Sequence, residues 1–215
     1  MQMYQQCLTF IQQALAQWSI VDVRTVPNVM YQIRFGRDPN DSSVEYQLNW
    51  FIDCTETLIH NHRNSFETLC IEGEYVETSW DVIPDGTDNC TYKLHRQSDG
   101  SLNIAQVLPG VLQSIKTRRH FPGNQMHVDT ELFHSISPMG GLNGQAVTFL
   151  RKRSYSPPPP TYVLSSTTMC IGPVEEIRSA TKCEREKIYH KLQEILMQRI
   201  EMQQTSVNPT ICKSR

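Results

Sequence analysis

The sequence lacks three features that would point at once to a class of partner. It has almost no net charge, with 20 Lys and Arg against 22 Asp and Glu in 215 residues, so no cationic surface for nucleic acid or an anionic membrane is expected. It has no apolar run near the ~18 residues of a membrane span. Residues 1–20 contain no basic residue ahead of their apolar positions, unlike a signal peptide. We therefore expect a cytoplasmic protein that binds neither nucleic acid nor membranes.

Paired cysteines are missing as well. The seven cysteines are odd in number and scattered, and no two of them form a Cys-x-x-Cys pair. A disulfide framework normally shows an even number of cysteines at close spacings. We expect reduced thiols, most of which fill the core.

Short alternating segments make up most of the chain instead. Apolar and polar residues alternate from residue 20 to residue 52 and again beyond residue 80, and Pro, Gly, Asn and Asp turns separate the segments. This pattern predicts an all-β core of antiparallel strands, a barrel or a sandwich, rather than an α/β fold. The length suits one domain with a substantial core.

Both ends of the chain have helical periodicity. Apolar residues recur at spacings of three and four over residues 3–18 and over residues 174–203. The predicted organisation is an N-terminal helix (1–19) packed on the outside of the barrel, a barrel domain (20–172), a C-terminal helix (173–204) and a flexible tail (205–215). The C-terminal helix either packs on the barrel or pairs with a copy of itself in a homodimer.

His60 and His62 carry the strongest chemical signal. Side chains alternate faces along a strand, so two histidines separated by one residue point to the same side. Both imidazoles are then placed to bind one metal ion. The alternative is a pair of exposed strand histidines with no ligand.

Glu67 lies on the strand that follows. We predict that it shares an inward face with Leu69 and Ile71. A carboxylate among apolar neighbours needs a cationic partner. Two partners are compatible with the sequence: the metal ion held by the histidines, or an arginine such as Arg34 or Arg63.

A third histidine ligand is expected within residues 126–137, which contain His127 and His134. On one unbroken strand these two face opposite sides. The face of His134 is largely apolar, whereas the face of His127 is acidic and polar. His134 is therefore the better inward ligand, although a β-bulge between them would favour His127. We interpret His120, just before the preceding turn, as a loop histidine.

This part of the chain resembles the first motif of the cupin β-barrels, which has two histidines, a carboxylate and a glycine at the same spacing. In this chain the glycine is Gly73, which we expect to permit a sharp turn into a strand at residues 74–80. Four segments narrow the resemblance to the cysteine dioxygenase branch. They are Ile-His-x-His-x-x-Ser at 59–65, Tyr-Gln-Ile-Arg at 31–34, Leu-Phe-His at 132–134 and Tyr-Ser-Pro-Pro at 155–158. The resemblance covers roughly residues 30–160 and implies a cupin-type antiparallel β-barrel (jelly roll) with N- and C-terminal helices.

The resemblance also implies a function: a non-haem iron dioxygenase that uses dioxygen to oxidise the thiol of a small carboxylate-bearing substrate. In that family three neutral imidazoles hold Fe(II), an arginine grips the substrate carboxylate, and a tyrosine hydroxyl lies near the iron. The matching residues are His60, His62 and His134 for the metal, Arg34 for the carboxylate and Tyr155 for the hydroxyl.

The chain departs from the family at two places. Glu67 stands where animal cysteine dioxygenases have the cysteine that crosslinks to the tyrosine. Counting back from Tyr155 puts Arg151 and Arg153 in place of the serine and histidine that accompany the tyrosine, whereas matching residues 146–147 to the strand of the family puts Thr148 and Leu150 there. We assign Glu67 to the site because, as a fourth ligand, it would decide how open the metal is. Mn, Ni or Zn would then be compatible. The alternative functions are a cupin isomerase or lyase that uses its metal as a Lewis acid, and a non-enzymatic ligand-binding cupin.

Overall fold

The computed structural model describes residues 2–52, 56–98, 101–139, 145–166 and 177–207, with side chains up to residue 198 in the last segment. The chain divides into two compact units, Asp22–Ser179 and a second unit made of Met1–Val21 and Ala180–Arg215. In the described residues the strands of the first unit are β1 Asp22–Val26, β2 Met30–Arg37, β3 Val44–Phe51, β4 Asn64–Ile83, β5 Cys90–Arg96, β6 Leu102–Pro109, β7 Val111–His120, β8 Gln125–Val128, β9 His134–Met139, β10 Ala146–Ser154, β11 Tyr162–Ser166 and β12 Arg178–Ser179.

These strands form two antiparallel sheets. The larger sheet has the order β12-β1-β2-β3-β10-β4-β7, and β8 and β9 also pair with β4. The smaller sheet has the order β11-β5-β6. Strands far apart in sequence, such as β3 and β10, are neighbours in the sheet, as in a jelly roll. The predicted all-β, antiparallel core is confirmed.

β4 pairs with four other strands of the larger sheet, and its course corrects one prediction. It runs without interruption for 20 residues, so the sharp turn expected at Gly73 is wrong. β10 pairs with residues 64–73, and β7 and β9 pair with the residues that follow. Gly73 has φ of 71°, and a Cβ atom there would overlap the carbonyl oxygen of Gln145. The strand therefore needs glycine at this position for a close contact and not for a chain reversal.

The predicted strand over residues 126–137 is divided in two. β8 pairs with residues 66–69 of β4, whereas β9 pairs with residues 74–79. Between them the chain turns, and the N–H of Leu132 donates to the carbonyl oxygen of Asp129 at 3.3 Å. The prediction of one unbroken strand is wrong, but His134 at the start of β9 is buried, as expected.

The interior of the first unit contains two apolar clusters, formed by residues of the larger sheet. One cluster consists of Phe51, Cys70, Tyr75, Ile136 and Ala146, and the other of Phe66, Met126, Val128 and Leu150. Phe66 and Cys70 alternate with Glu67 and Leu69 along β4. Up to Cys70, the interior face of β4 is thus the one that carries Phe66, and Glu67 lies on the other face.

The second unit contains helix α1 Gln2–Ala16 and helix α2 Lys182–Val207. The helices pack together, and the rings of Trp18 and Tyr189 lie 5.7 Å apart. Thr181 and Glu184 form a capping box, each backbone N–H donating to the side chain of the other. This cap starts α2 at Lys182, later than the predicted 174, and Arg178–Ser179 form β12 instead.

Packing of the helices on the barrel and a homodimer through α2 stay predictions. Along the described helices, no segment is both long and apolar enough to cross a membrane. The tail at 205–215 lies largely outside the described residues. Four cysteines with described side chains have free thiols, and two of these, Cys7 and Cys70, are buried.

Candidate metal centre

Three imidazole rings converge in the first unit. His60, His62 and His134 each offer a ring nitrogen, and these nitrogens all lie within 4.8 Å of one another. Nε2 of His62 is 2.8 Å from Nε2 of His134. The backbones of His60 and His134 are joined by two hydrogen bonds of 3.0 Å, in which each N–H donates to the other's carbonyl oxygen. The structure brings together the three histidines that the sequence analysis proposed as ligands.

The hydrogen bonds of two of these rings fix which nitrogen carries the proton. Nδ1 of His60 lies 2.6 Å from the carbonyl oxygen of Leu58, and Nδ1 of His134 lies 2.9 Å from Oε1 of Glu77. Both oxygens only accept hydrogen bonds, so each Nδ1 is the donor and each Nε2 presents a lone pair. This tautomer is the one that a metal bound at Nε2 requires, and the donor set therefore fits a metal ion.

The electrostatic environment keeps the rings of His60 and His62 neutral. Burial lowers the pKa of His60 to about 3, and the nearby His134 ring adds to the shift. Burial also holds the pKa of His62 well below its usual value, with further contributions from the other two rings. Metal binding requires unprotonated imidazole nitrogens, so these pKa shifts suit metal binding near neutral pH.

Glu77 contacts Nδ1 of His134, on the side of the ring away from the converging nitrogens. This residue was not among those predicted from the sequence. Its side chain is only 1% exposed. Burial raises the pKa of Glu77, but interactions with His120 and His134 outweigh burial and lower the pKa to about 2. The residue is therefore an ionised, buried carboxylate that holds the Nδ1 proton of His134. Glu77 shares a face of β4 with Tyr75 and Ser79, which are buried too, and its spacing of two from Tyr75 was the signal available in the sequence.

His120 extends this support, and its interpretation as a loop histidine is wrong. It is the last residue of β7 and is buried. Its Nε2 lies 3.5 Å from Oε2 of Glu77. The ring stacks on Tyr75, with centroids 4.7 Å apart and an angle of 14° between the planes. His134, Glu77 and His120 thus form a row that begins at the metal ligands and ends at a stacked aromatic ring.

The histidines lie between two cavities of different character. A cavity of about 430 Å³ is bordered by His60 and His62 and is lined mainly by polar and cationic side chains. A smaller cavity of about 70 Å³ is bordered by all three histidines and by apolar side chains such as Phe66, Met126 and Leu150. The arrangement offers room for a polar ligand on one side and for a small apolar molecule on the other.

Arg34, proposed to bind a substrate carboxylate, lies in the wall of the larger cavity. Its Nε donates to Oε1 of Glu45 at 2.8 Å, and its Nη1 donates to Oδ2 of Asp22 at 3.3 Å. The structure therefore places Arg34 in the cavity that His60 and His62 border, with its charge balanced by two carboxylates.

Glu67 does not reach the histidines. Its side chain is 51% exposed and forms an ion pair of 3.3 Å with Arg151 of the neighbouring strand. The predicted inward face is wrong because β4 is buried on both faces: Leu69 and Ile71 are buried although they share the parity of Glu67. Neither Arg34 nor Arg63, the two arginines considered in the sequence, is the partner.

Tyr155 and His127 lie in a different groove. The Tyr155 hydroxyl is 2.8 Å from Oγ of Ser65, and its side chain borders a groove shared with Glu67 and His127. Nε2 of His127 lies 2.9 Å from Oδ1 of Asp129, and His127 is 55% exposed. The three converging histidines do not border that groove. The structure does not bring Tyr155 to the candidate metal site, and it places His134 there rather than His127.

Comparison with known proteins gives structural likeness without sequence likeness. No protein-family model matches the chain, and no curated protein matches it. Hydroxypropylphosphonic acid epoxidase from S. wedmorenis is 11% identical, with 62% of this chain and 55% of that chain covered and a TM-score of 0.40. KdgF from Halomonas sp. is 11% identical, with coverages of 63% and 91% and a TM-score of 0.38. An RmlC-like cupin from Shewanella frigidimarina is 14% identical, with coverages of 64% and 86% and a TM-score of 0.36.

These values limit what the likeness says. This chain spans less than two thirds of the epoxidase, and the identities and TM-scores are low throughout. The likeness therefore decides neither activity nor ligand, and the function has to be argued from the site itself.

Proposed function

We propose that the protein is a cupin-type, metal-dependent dioxygenase that oxidises the thiol of a small carboxylate-bearing substrate, with Fe(II) held by His60, His62 and His134. The observation that carries the proposal is the donor set. Three imidazoles converge, the pKa values of His60 and His62 are lowered, and among the described residues no carboxylate belongs to this group. When bound, Fe(II) would supply the chemistry that joins dioxygen to a thiolate, and neutral ligands would leave its full positive charge to attract that thiolate.

The surroundings of the histidines support the same chemistry. The cationic side chains of the larger cavity suit a carboxylate-bearing substrate, since a guanidinium matches the two oxygens of a carboxylate. The apolar lining of the smaller cavity suits dioxygen, which has no polar group to satisfy. Glu77 keeps the Nδ1 proton on His134 and so keeps the opposite nitrogen free for the metal.

The isomerase or lyase alternative depended on Glu67. An isomerase or lyase with Mn, Ni or Zn was attractive because Glu67 would complete a four-ligand site. Glu67 is instead paired with Arg151 on the other face of β4, which removes that support. We therefore retain the dioxygenase as the single proposal.

Metal analysis combined with oxygen uptake tests the proposal. The wild-type protein should hold about one Fe(II) per chain and consume oxygen with at least one small thiol acid. His62→Gln should lose iron and oxygen uptake together. The matched control is His127→Gln, which changes an exposed histidine outside the group and should keep both. Iron binding without oxygen uptake across a panel of thiols of varied charge would overturn the dioxygenase assignment.

A further inference from the structure

The larger cavity has more positive charge than its carboxylates balance. Among the described residues, five cationic side chains line it, and Glu45 is the one acidic side chain in that lining. The five are Arg24, Arg34, Arg63, Arg96 and Lys152. Asp22 pairs with Arg24 and Arg34, and Glu45 pairs with Arg34. Throughout the described ranges, no carboxylate forms an ion pair with Arg63, Arg96 or Lys152, so these three cations face the cavity without an ion-pair partner from those ranges.

Strand pairing places the backbone of Arg96 near His60. It is the last residue of β5, and its N–H donates to the carbonyl oxygen of Thr161 at 3.1 Å. β5 pairs with β11, and Val163 of β11 forms an isolated bridge with His60. The backbone of Arg96 is therefore held in the layer next to a metal ligand.

The Arg96 guanidinium is half-buried, and none of its N–H groups has a protein acceptor among the described residues. Burial lowers the pKa of Arg96, which reports the loss of water around its charge. Its charge also contributes to lowering the pKa values of His60 and His62, after the larger effect of burial. A partly desolvated cation without a partner is unfavourable, and a bound anion would relieve that cost. Arginine can bind a carboxylate through two parallel hydrogen bonds.

Lys152 offers a second cationic group from the other sheet. It lies on β10, and its Nζ donates to Oε1 of Gln47 at 3.1 Å. An ammonium group has three donors, so two remain for a ligand. Burial lowers the pKa of Lys152, Glu45 raises it, and the positive charges of Arg34 and Arg63 lower it. The crowding of like charges around Lys152 is a further reason for an anion to bind here.

We propose that this cavity selects a substrate with two anionic groups, one bound by Arg96 and the other by Lys152. The inference rests on the proposed function, because the substrate thiol must reach the same three histidines. It differs from the expectation for Arg34, whose charge is already balanced by Glu45 and Asp22. The cavity volume of about 430 Å³ lies within the roughly 300–1,000 Å³ of small-molecule sites.

Anaerobic calorimetric titration of the iron-loaded protein tests the charge preference. The probes are three thiols: mercaptosuccinate with two carboxylates, 3-mercaptopropionate with one and 2-mercaptoethanol with none. Succinate and propionate repeat the comparison without a thiol. We expect each dianion to bind at least about 10-fold more tightly than its monoanion, in line with one added charge-assisted contact. Equal affinities for dianion and monoanion in both pairs would overturn the proposal.

Variants then locate the two anionic groups. Arg96→Gln and Lys152→Met should each reduce the affinity for succinate about 10-fold or more while leaving 2-mercaptoethanol within about twofold. Arg96→Lys should recover part of the loss, because it keeps the charge without the fork of donors. Arg37→Gln is the control, since Arg37 is exposed at the end of β2 and lies outside the cavity lining. Unchanged succinate binding in a folded, iron-loaded Arg96→Gln protein would refute the role of Arg96.

The outcomes separate this inference from the dioxygenase proposal. Tight binding of mercaptosuccinate, with no oxygen uptake from any thiol of the panel, would refute the dioxygenase and support the dianion site. Oxygen uptake with equal kcat/KM for mercaptosuccinate and 3-mercaptopropionate would support the dioxygenase and refute the dianion preference. If Arg96→Gln fails to fold, as judged by circular dichroism, the wild-type comparison of succinate with propionate and the Arg96→Lys protein still decide the question.

Discussion

Replacing Glu77 by glutamine is the sharpest test of the metal centre. The carboxylate is 1% exposed and accepts the Nδ1 proton of His134 at 2.9 Å, while its other oxygen lies 3.5 Å from His120. Glutamine keeps the size of the side chain but has a single acceptor oxygen and an NH₂ group that donates. If the NH₂ group faces His134, the proton of that ring moves to Nε2 and blocks the metal-binding nitrogen.

The expected loss of metal affinity follows from the position of Glu77 next to a candidate metal ligand. Loss of a carboxylate that orients a ligating histidine typically lowers metal affinity about 10- to 100-fold. This is roughly 1.4–2.7 kcal/mol of binding free energy. The effect should be on metal affinity and not only on folding, because His60 and His62 keep their own contacts.

Competition of each protein with a chelator of known affinity measures this loss. Glu74→Gln is the matched control: Glu74 lies on the same strand, but its side chain is exposed and paired with Arg119. We expect Glu74→Gln to bind metal like the wild type. If Glu77→Gln also retained wild-type metal affinity, the argument that Glu77 fixes the tautomer of His134 would be refuted.

Three further predictions concern residues that the structure places away from the histidines or holds in a special conformation. Glu67→Gln should leave iron content unchanged and lower stability by no more than about 1 kcal/mol, since an exposed ion pair contributes little; loss of iron, measured by elemental analysis, would contradict the outward placement. Tyr155→Phe should remove the contact with Ser65 and leave kcat with the best thiol within about twofold; a drop of about 100-fold or more would return Tyr155 to the site. Gly73→Ala should lower the free energy of unfolding by roughly 2 kcal/mol or more, because a Cβ atom at φ of 71° overlaps neighbouring backbone. A denaturant midpoint equal to that of the wild type would contradict this prediction and show that the strand relaxes around the added methyl group.

The sequence by itself determined the local features of this protein. Alternation with period two predicted antiparallel strands, because it records which side of each strand faces the core. The spacing of His60 and His62 predicted two imidazoles on one side, and the apolar neighbours of His134 favoured it over His127. Thr181 and Glu184 carried the capping box that starts α2, although the sequence analysis placed the helix start too early. These features depend on neighbours within a few residues, and such neighbours are visible in one chain.

The tertiary structure alone decided which face of β4 is the interior and which residues meet across strands. β4 is buried on both faces, so its alternation did not tell that Phe66 points inward and Glu67 outward. His134, Glu77 and His120 belong to β9, β4 and β7, and only the register of those three strands brings them into one row. The unbalanced charge of the larger cavity arises in the same way, from side chains of several strands in two sheets. Such contacts depend on long-range strand pairing, which is set by the packing of the whole unit and not by the sequence around any one residue.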